Sequence, residues 1–196
     1  MALLWHSWGG VLAMEYAIRH PERASHLILL NTGPASHGDY LFLRSERRRT
    51  APHDLERLVA LSATPEYRAG ELEADAAYYR IHFGATLRNP DQLERLVRRL
   101  RANFTPDGVL EARAIEERLM YETWRSREYD LLPKLARLRL PALVIHGRYD
   151  LIPVECAQRI ADAIPGARFV LLAELGHFPY LEDPGAVRKA VVEFLG

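Results

Sequence analysis

Apolar positions follow two rhythms along this 196-residue chain. At both ends, short apolar runs bounded by Gly, Pro or charged residues read as strands buried in a sheet. They lie near residues 2–6, 25–31, 141–146 and 167–173, and Leu27-Ile28-Leu29-Leu30 and Ala142-Leu143-Val144-Ile145 are the most continuous. Helical patterns alternate with them at 12–19, 154–164 and 184–195. The first of these stops at Arg19-His20-Pro21-Glu22, because proline disfavours a helical residue before it. From Gly33-Pro34 to about Leu140 the rhythm is helical throughout. Asn89-Pro90-Asp91-Gln92 is a start signal, after which Leu93, Leu96, Val97 and Leu100 mark one apolar face. A further helix is predicted over 108–124. The pattern predicts an α/β fold with a mainly parallel sheet of four strands, flanked by helices on both faces. An all-helical block over 37–135 is expected at the carboxyl edge of that sheet. The chain divides accordingly into 1–33, 34–140 and 141–196.

The first strand runs into its helix through His6-Ser7-Trp8-Gly9-Gly10-Val11. A strand that turns directly into a helix makes a sharp bend, which glycines at Gly9 and Gly10 permit. Such a turn lifts the Ser7 hydroxyl clear of the sheet beside a helix N-terminus, where negative charge is favoured. Serine in this position also caps helices, so the turn alone leaves both readings open. A nucleophilic serine needs a base, and the base needs an acid to hold its tautomer. Asp150 follows the third strand within His146-Gly147-Arg148-Tyr149-Asp150. His177 follows the fourth within Glu174-Leu175-Gly176-His177-Phe178. Separately, Asp150 could serve a turn or a helix cap and His177 could be a packed loop residue. Together, Ser7, Asp150 and His177 all fall at strand carboxyl ends, where open parallel sheets build their sites. Their order in the chain is that of one hydrolase fold.

On these residues the chain resembles the α/β-hydrolase superfamily, and within it the proline-iminopeptidase-type branch. The resemblance rests on His6-Ser7-Trp8-Gly9-Gly10, His146-Gly147-Arg148-Tyr149-Asp150 and Gly176-His177-Phe178 with Leu181-Glu182-Asp183-Pro184. It covers essentially the whole chain but only the second part of that family's fold. It implies Ser7 as nucleophile, Asp150 as orienting acid, His177 as general base, and the Trp8 backbone N–H as one oxyanion donor. It also implies that the helical block is a cap over the site. Tyr78, Tyr79, Phe83, Trp124, Glu122, Glu128 and Asp130 are candidates to face down from it. Peptidases of this type hold the substrate amine with cap carboxylates, which nominates Glu122, with Trp124 beside it. A residue after the catalytic acid that is often Glu in those peptidases is Leu151 here, so an ester or amide hydrolase of other specificity is an equal expectation.

Two departures shape the functional reading. The usual turn is G-x-S-x-G, and Trp5 stands at its first glycine. Either the turn distorts or Trp5 swings aside, and both outcomes anticipate an imperfect nucleophile site. No His-Gly-Gly-Pro-Gly-like loop precedes Ser7, and losing an oxyanion donor costs about 100- to 1,000-fold in turnover. The chain therefore reads as a serine hydrolase of an ester or amide, with a small molecule or short peptide as substrate. The alternative is a silent C-terminal hydrolase portion that needs a partner segment. The strand at 2–6 would then be an open edge, which invites self-association.

Composition narrows the field without redirecting it. Lys and Arg number 26 against 26 Asp and Glu, so charge gives no argument for nucleic acid or an anionic membrane. The run Arg44-Ser45-Glu46-Arg47-Arg48-Arg49 is expected to be a solvated helix face. The sole cysteine, Cys156, allows no internal disulfide and is expected in the core. With no basic leader or membrane-length apolar run, a cytoplasmic location is expected. No metal or cofactor motif is present in this reading.

Overall fold

The computed structural model describes residues 1–87 and 89–196. Its chain runs β1 (Ala2–His6), α1 (Trp8–Arg19), β2 (His26–Leu30), then a long helical excursion, then β3 (Ala142–Gly147), α9 (Val154–Ala163), β4 (Arg168–Leu172), α10 (Pro179–Glu182) and α11 (Pro184–Leu195). The excursion consists of α2 (His37–Thr50), α3 (Pro52–Ser62), α4 (Pro65–Arg68), α5 (Leu72–Gly84), α6 (Pro90–Arg101), α7 (Pro106–Glu122) and α8 (Leu132–Leu135). Four strands form one sheet in the order β1-β2-β3-β4. Every neighbouring pair is parallel, with Leu3 opposite Leu27, Ile28 opposite Leu143 and Ile145 opposite Val170.

Alternation along the central strands assigns the two faces. Leu27 and Leu29 of β2, with Ala142 and Val144 of β3, share a core with Val11, Met14 and Ala17 of α1 and with Ala157 and Ile160 of α9. Ile28, Leu30, Leu143 and Ile145 share the opposite core with Val187 and Ala190 of α11. Burying each large side chain contributes about 1.5–3 kcal/mol, so both faces hold the strands in register. Polar groups enter this layer only where the strands end. There, His146 is fully buried and donates from Nε2 to the Ile152 carbonyl at 2.9 Å. Cys156 is buried as anticipated, beside Leu43 and Ile152. At the far side of the sheet β1 leaves Leu4 and Trp5 about half exposed.

The helical excursion begins at 37 and its last helix ends at 135, as the rhythm of apolar positions predicts. Side-chain oxygens start several of its helices: Ser36 accepts from the Asp39 N–H, Asn89 from Asp91, and Thr105 from Gly108. The Thr105 cap explains why the helix expected from 108 starts at Pro106. Arg113 ties α7 to α5 through an ion pair with Asp75, and donates to the Tyr67 carbonyl at 2.5 Å. Thr86, just past α5, joins the excursion to the loop after β4 by accepting the His177 N–H at 3.2 Å. Among the described residues no helix is long and apolar enough to cross a membrane.

Close backbone packing at the end of β3 yields a direct test. A Cβ at Gly147 would collide with the backbone carbonyls of Leu175 and Gly176. Gly147→Ala should lower stability by about 1–3 kcal/mol. A Cβ at Gly84 meets nothing within 4 Å, and Gly84→Ala should raise stability by about 0.4–1 kcal/mol. Urea midpoints of the two variants should move in opposite directions from wild type.

Candidate active site

Ser7 lies between β1 and α1 with φ 54° and ψ −126°, a region that L side chains rarely adopt. Hydrogen bonds hold it there. Its N–H donates to the Leu30 carbonyl at 3.0 Å, and its carbonyl accepts from Gly10 and Gly33 at 3.0 and 3.2 Å. Gly10 is needed because a Cβ there would run into Thr32. The Ser7 hydroxyl makes no cap hydrogen bond to α1, which sets the capping reading aside. Instead Oγ lies 3.0 Å from His177 Nε2. The Trp5 indole lies beside Gly9, where a Cβ would come within 2.8 Å of Cε3, and stays 47% exposed. The turn forms with this bulk against it.

His177 Nδ1 lies 2.7 Å from Asp150 Oδ1. Because an ionised carboxylate only accepts, Nδ1 carries the proton and Nε2 is left to accept from the Ser7 hydroxyl. Asp150 is fully buried at its side chain. Its Oδ1 also accepts from the Ile152 N–H at 3.0 Å, and its Oδ2 accepts from Asn31 Nδ2 at 2.6 Å. Burial alone would push this carboxyl up. The charge and hydrogen bond of His177, with help from His146 and the Ile152 N–H, outweigh burial and hold it below its ordinary value.

Two residues that the sequence reading left out complete the frame. Asn31, at φ 46° just past β2, donates from Nδ2 to Asp150 and also to the Gly176 carbonyl at 2.9 Å. It thereby joins the acid-bearing loop to the base-bearing one. His6 donates from Nε2 to the His177 carbonyl at 2.7 Å, and its ring packs against His177 at 4.8 Å between centroids. Both follow or end a strand beside a glycine-containing turn, which is the signal that could have marked them.

A cavity of about 700 Å³ opens above Ser7 and His177. Trp8 and Trp124 line it in edge-to-face contact at 4.3 Å. The Trp124 indole N–H donates to the Pro34 carbonyl at 2.7 Å. Tyr78, Tyr79 and Phe83 line it from α5, as expected. As the first residue of α1, Trp8 has a backbone N–H with no intrahelical acceptor. Glu122 is not brought to the cavity. It is exposed and accepts from Arg118 Nε at 2.8 Å. Glu128 and Asp130 are exposed outside it as well, and Asp130 accepts the Leu132 N–H. The carboxylate that does line the cavity is Glu116, one and a half turns earlier on α7. Burial, then the Asp75 charge, pushes its carboxyl up. The basic run is corrected too: Arg44, Arg47 and Arg48 line the cavity rather than forming a wholly solvated face.

The family model described as alpha/beta hydrolase fold matches residues 2–184. The chain belongs to the α/β-hydrolase family. Among its relatives is a proline iminopeptidase of Levilactobacillus brevis, 28% identical over 98% of this chain and 64% of that protein. Another is a pimeloyl-[acyl-carrier protein] methyl ester esterase of Edwardsiella ictaluri, 27% identical over 97% of this chain and 68% of that one. The crystal structure of a hydrolase from Pseudomonas aeruginosa PA01 matches with TM-score 0.64 and 29% identity, over 100% of this chain and 64% of that chain. Across eight curated relatives the α/β-hydrolase chain described here spans 61–68% of their length.

The buried imidazoles make stability depend on pH. Burial first, and then the neighbouring His177, lower the pKa of His6 from 6.5 to about 4. Burial, then the Arg47 charge, lower that of His82 to about 3. Between those values and 6.5 the unfolded chain binds protons that the folded chain does not, so stability should decline as pH falls through that window. Urea midpoints at about pH 7 and about pH 4.5 should show this decline. His6→Asn should show a smaller one, whatever its stability at neutral pH.

Proposed function

We propose that this chain is a serine hydrolase that cleaves an ester or amide bond through Ser7, His177 and Asp150. The observation that carries the reading is the continuous hydrogen-bonded path from Ser7 Oγ through the His177 ring to the buried Asp150 carboxylate. In this reading His177 Nε2 takes the hydroxyl proton as Ser7 Oγ attacks the substrate carbonyl. The oxyanion receives the Trp8 N–H at the positive end of α1. Collapse breaks the bond to the alcohol or amine, which leaves with the proton from His177. Water then attacks the acyl-Ser7 ester with His177 again as base, returning free enzyme and acid. Asp150 stays ionised throughout and stabilises the imidazolium. The helical excursion acts as the cap, positioning substrate and limiting water in the cavity. That relatives include both a methyl ester esterase and proline iminopeptidases supports the coarse class without choosing between its members.

A second reading rests on the share of the relatives' length that this chain spans. It holds that the site works only when a further segment lies alongside β1. One experiment separates the two. A fluorophosphonate probe should form a single adduct, located at Ser7 by peptide mass spectrometry. Ser7→Ala should give none, and Asp150→Asn should slow labelling by roughly 10³–10⁴-fold. A folded chain that takes up no probe would establish the second reading in place of the first.

A further inference from the structure

Charge in the cavity is strongly biased. Arg44, Arg47, Arg48 and Arg125 line it against the single carboxylate Glu116. Two of the four arginines are already engaged: Arg125 pairs with Glu117 at 3.5 Å, and Arg44 lies 5.7 Å over the Tyr40 ring. Arg47 is the half-buried one, and among the described residues its guanidinium has neither an ion pair nor a hydrogen bond. Its neighbours on the same helix, Glu46 and Arg49, pair with each other and leave it alone. A guanidinium withdrawn from water without a partner is costly. Burial lowers the pKa of Arg47 below its ordinary value, and the nearby Tyr78 and Asp54 offset this only in part.

One group that feels the Arg47 charge is in the same unfinished condition. His82 Nδ1 is buried with no hydrogen-bond partner among the described residues. The Arg47 charge helps keep that imidazole neutral, so one of its nitrogens is free to carry a proton toward an acceptor. Tyr78 stacks on His82 at 5.8 Å and lies within electrostatic range of both Arg47 and Glu116. His82 in turn feels the charge of His177, which places this group within electrostatic reach of the reacting serine. Between them the cavity wall is apolar, formed by Leu43, Phe83 and Trp8.

We propose that Arg47, with His82 and Tyr78 beside it, forms an anion subsite, and that the substrate is an ester or amide bearing a carboxylate a short apolar chain away from the reacting carbonyl. This deepens the hydrolase reading and rests on it for the reacting bond. The unpartnered guanidinium offers a planar fork that fits a carboxylate through two parallel hydrogen bonds. The neutral His82 adds a donor without adding a charge. Glu116 bounds the subsite on the α7 side.

The test separates binding from turnover. Trp8 and Trp124 line the cavity, so their fluorescence reports occupancy even of an unreactive ligand. The 196-residue chain is titrated with adipic acid monoamide, with hexanamide and with 6-aminohexanamide, which differ only in an anionic, neutral or cationic end. The acid should bind about tenfold or more tightly than the neutral amide. Arg47→Gln should erase that preference, Arg47→Lys should retain part of it, and Arg49→Gln, outside the cavity on the same helix, should leave it in place. In parallel, p-nitrophenyl esters of adipic acid and of hexanoic acid are compared, each variant's neutral ester serving as its own reference. The wild-type preference for the acidic chain in kcat/KM should fall about tenfold or more in Arg47→Gln. Equal binding of the three amides, or a preference for the cationic one, would overturn the carboxylate subsite. Binding of the acid that depends on Arg47, without fluorophosphonate labelling of Ser7, would sustain the subsite and defeat the hydrolase reading alone.

Discussion

Ser7 occupies a backbone conformation that costs on the order of 1–3 kcal/mol, and the neighbouring structure must hold it there. Three backbone hydrogen bonds do so, from β2, from the first turn of α1 and from Gly33 beyond β2. They work only while β1 and β2 stay in register, with His6 opposite Leu30. That register depends on the apolar cores on the two faces of the sheet. The strain therefore draws on burial elsewhere, and what it purchases is a hydroxyl that serves no structural bond of its own. A serine relaxed into ordinary helix capping would have turned that hydroxyl toward the N–H groups of α1 and away from His177.

The second constraint is the burial of Asp150. A carboxylate removed from water is expensive unless its oxygens are occupied. Here the donors come from His177, Ile152 and Asn31, three separate stretches of chain. Asn31 is the least replaceable by simple reasoning, because it sits at positive φ and spans two loops. The same electrostatic economy is incomplete higher in the cavity. Among the described residues the Arg47 guanidinium and His82 Nδ1 are withdrawn from water without hydrogen-bond partners, and the contrast with the fully satisfied Asp150 gives the cavity its direction, from a completed end at Ser7 to an incomplete one on the helices.

Much of this was legible in the chain. Strand positions, the helical excursion and the three residues Ser7, Asp150 and His177 follow from local rhythm, because parallel strands buried on both faces have a distinctive composition and the three residues lie in the turns that follow them. What escaped local reading depends on which side of a helix meets the cavity. Ala112, Ile115, Glu116 and Leu119 line it at helical spacing, so their common face on α7 could have selected Glu116 over Glu122. Tyr40, Leu43, Arg44 and Arg47 share a face of α2 in the same way, but a run of arginines masks that spacing. Trp5 escaped for another reason. Its cost at the turn depends on how much room lies beside β1, and no property of the residues around it encodes that room.

The path from Ser7 to His177 joins residues 170 positions apart. β2 and β3 pair directly although the whole helical excursion separates them in the chain. Contacts of such long range come at a high cost in loop entropy and slow a chain's folding. The hydrogen bond between serine and histidine can close only after the first strand has found the second, the second has found the third across that excursion, and the last loop has docked on Thr86. The hydrogen-bonded geometry of Ser7, His177 and Asp150 is consequently a late event in the chain's maturation. A nascent or partly unfolded molecule has nothing to hold the Ser7 hydroxyl against His177, so the closing of that contact is a clock for the completion of folding from one end of the chain to the other.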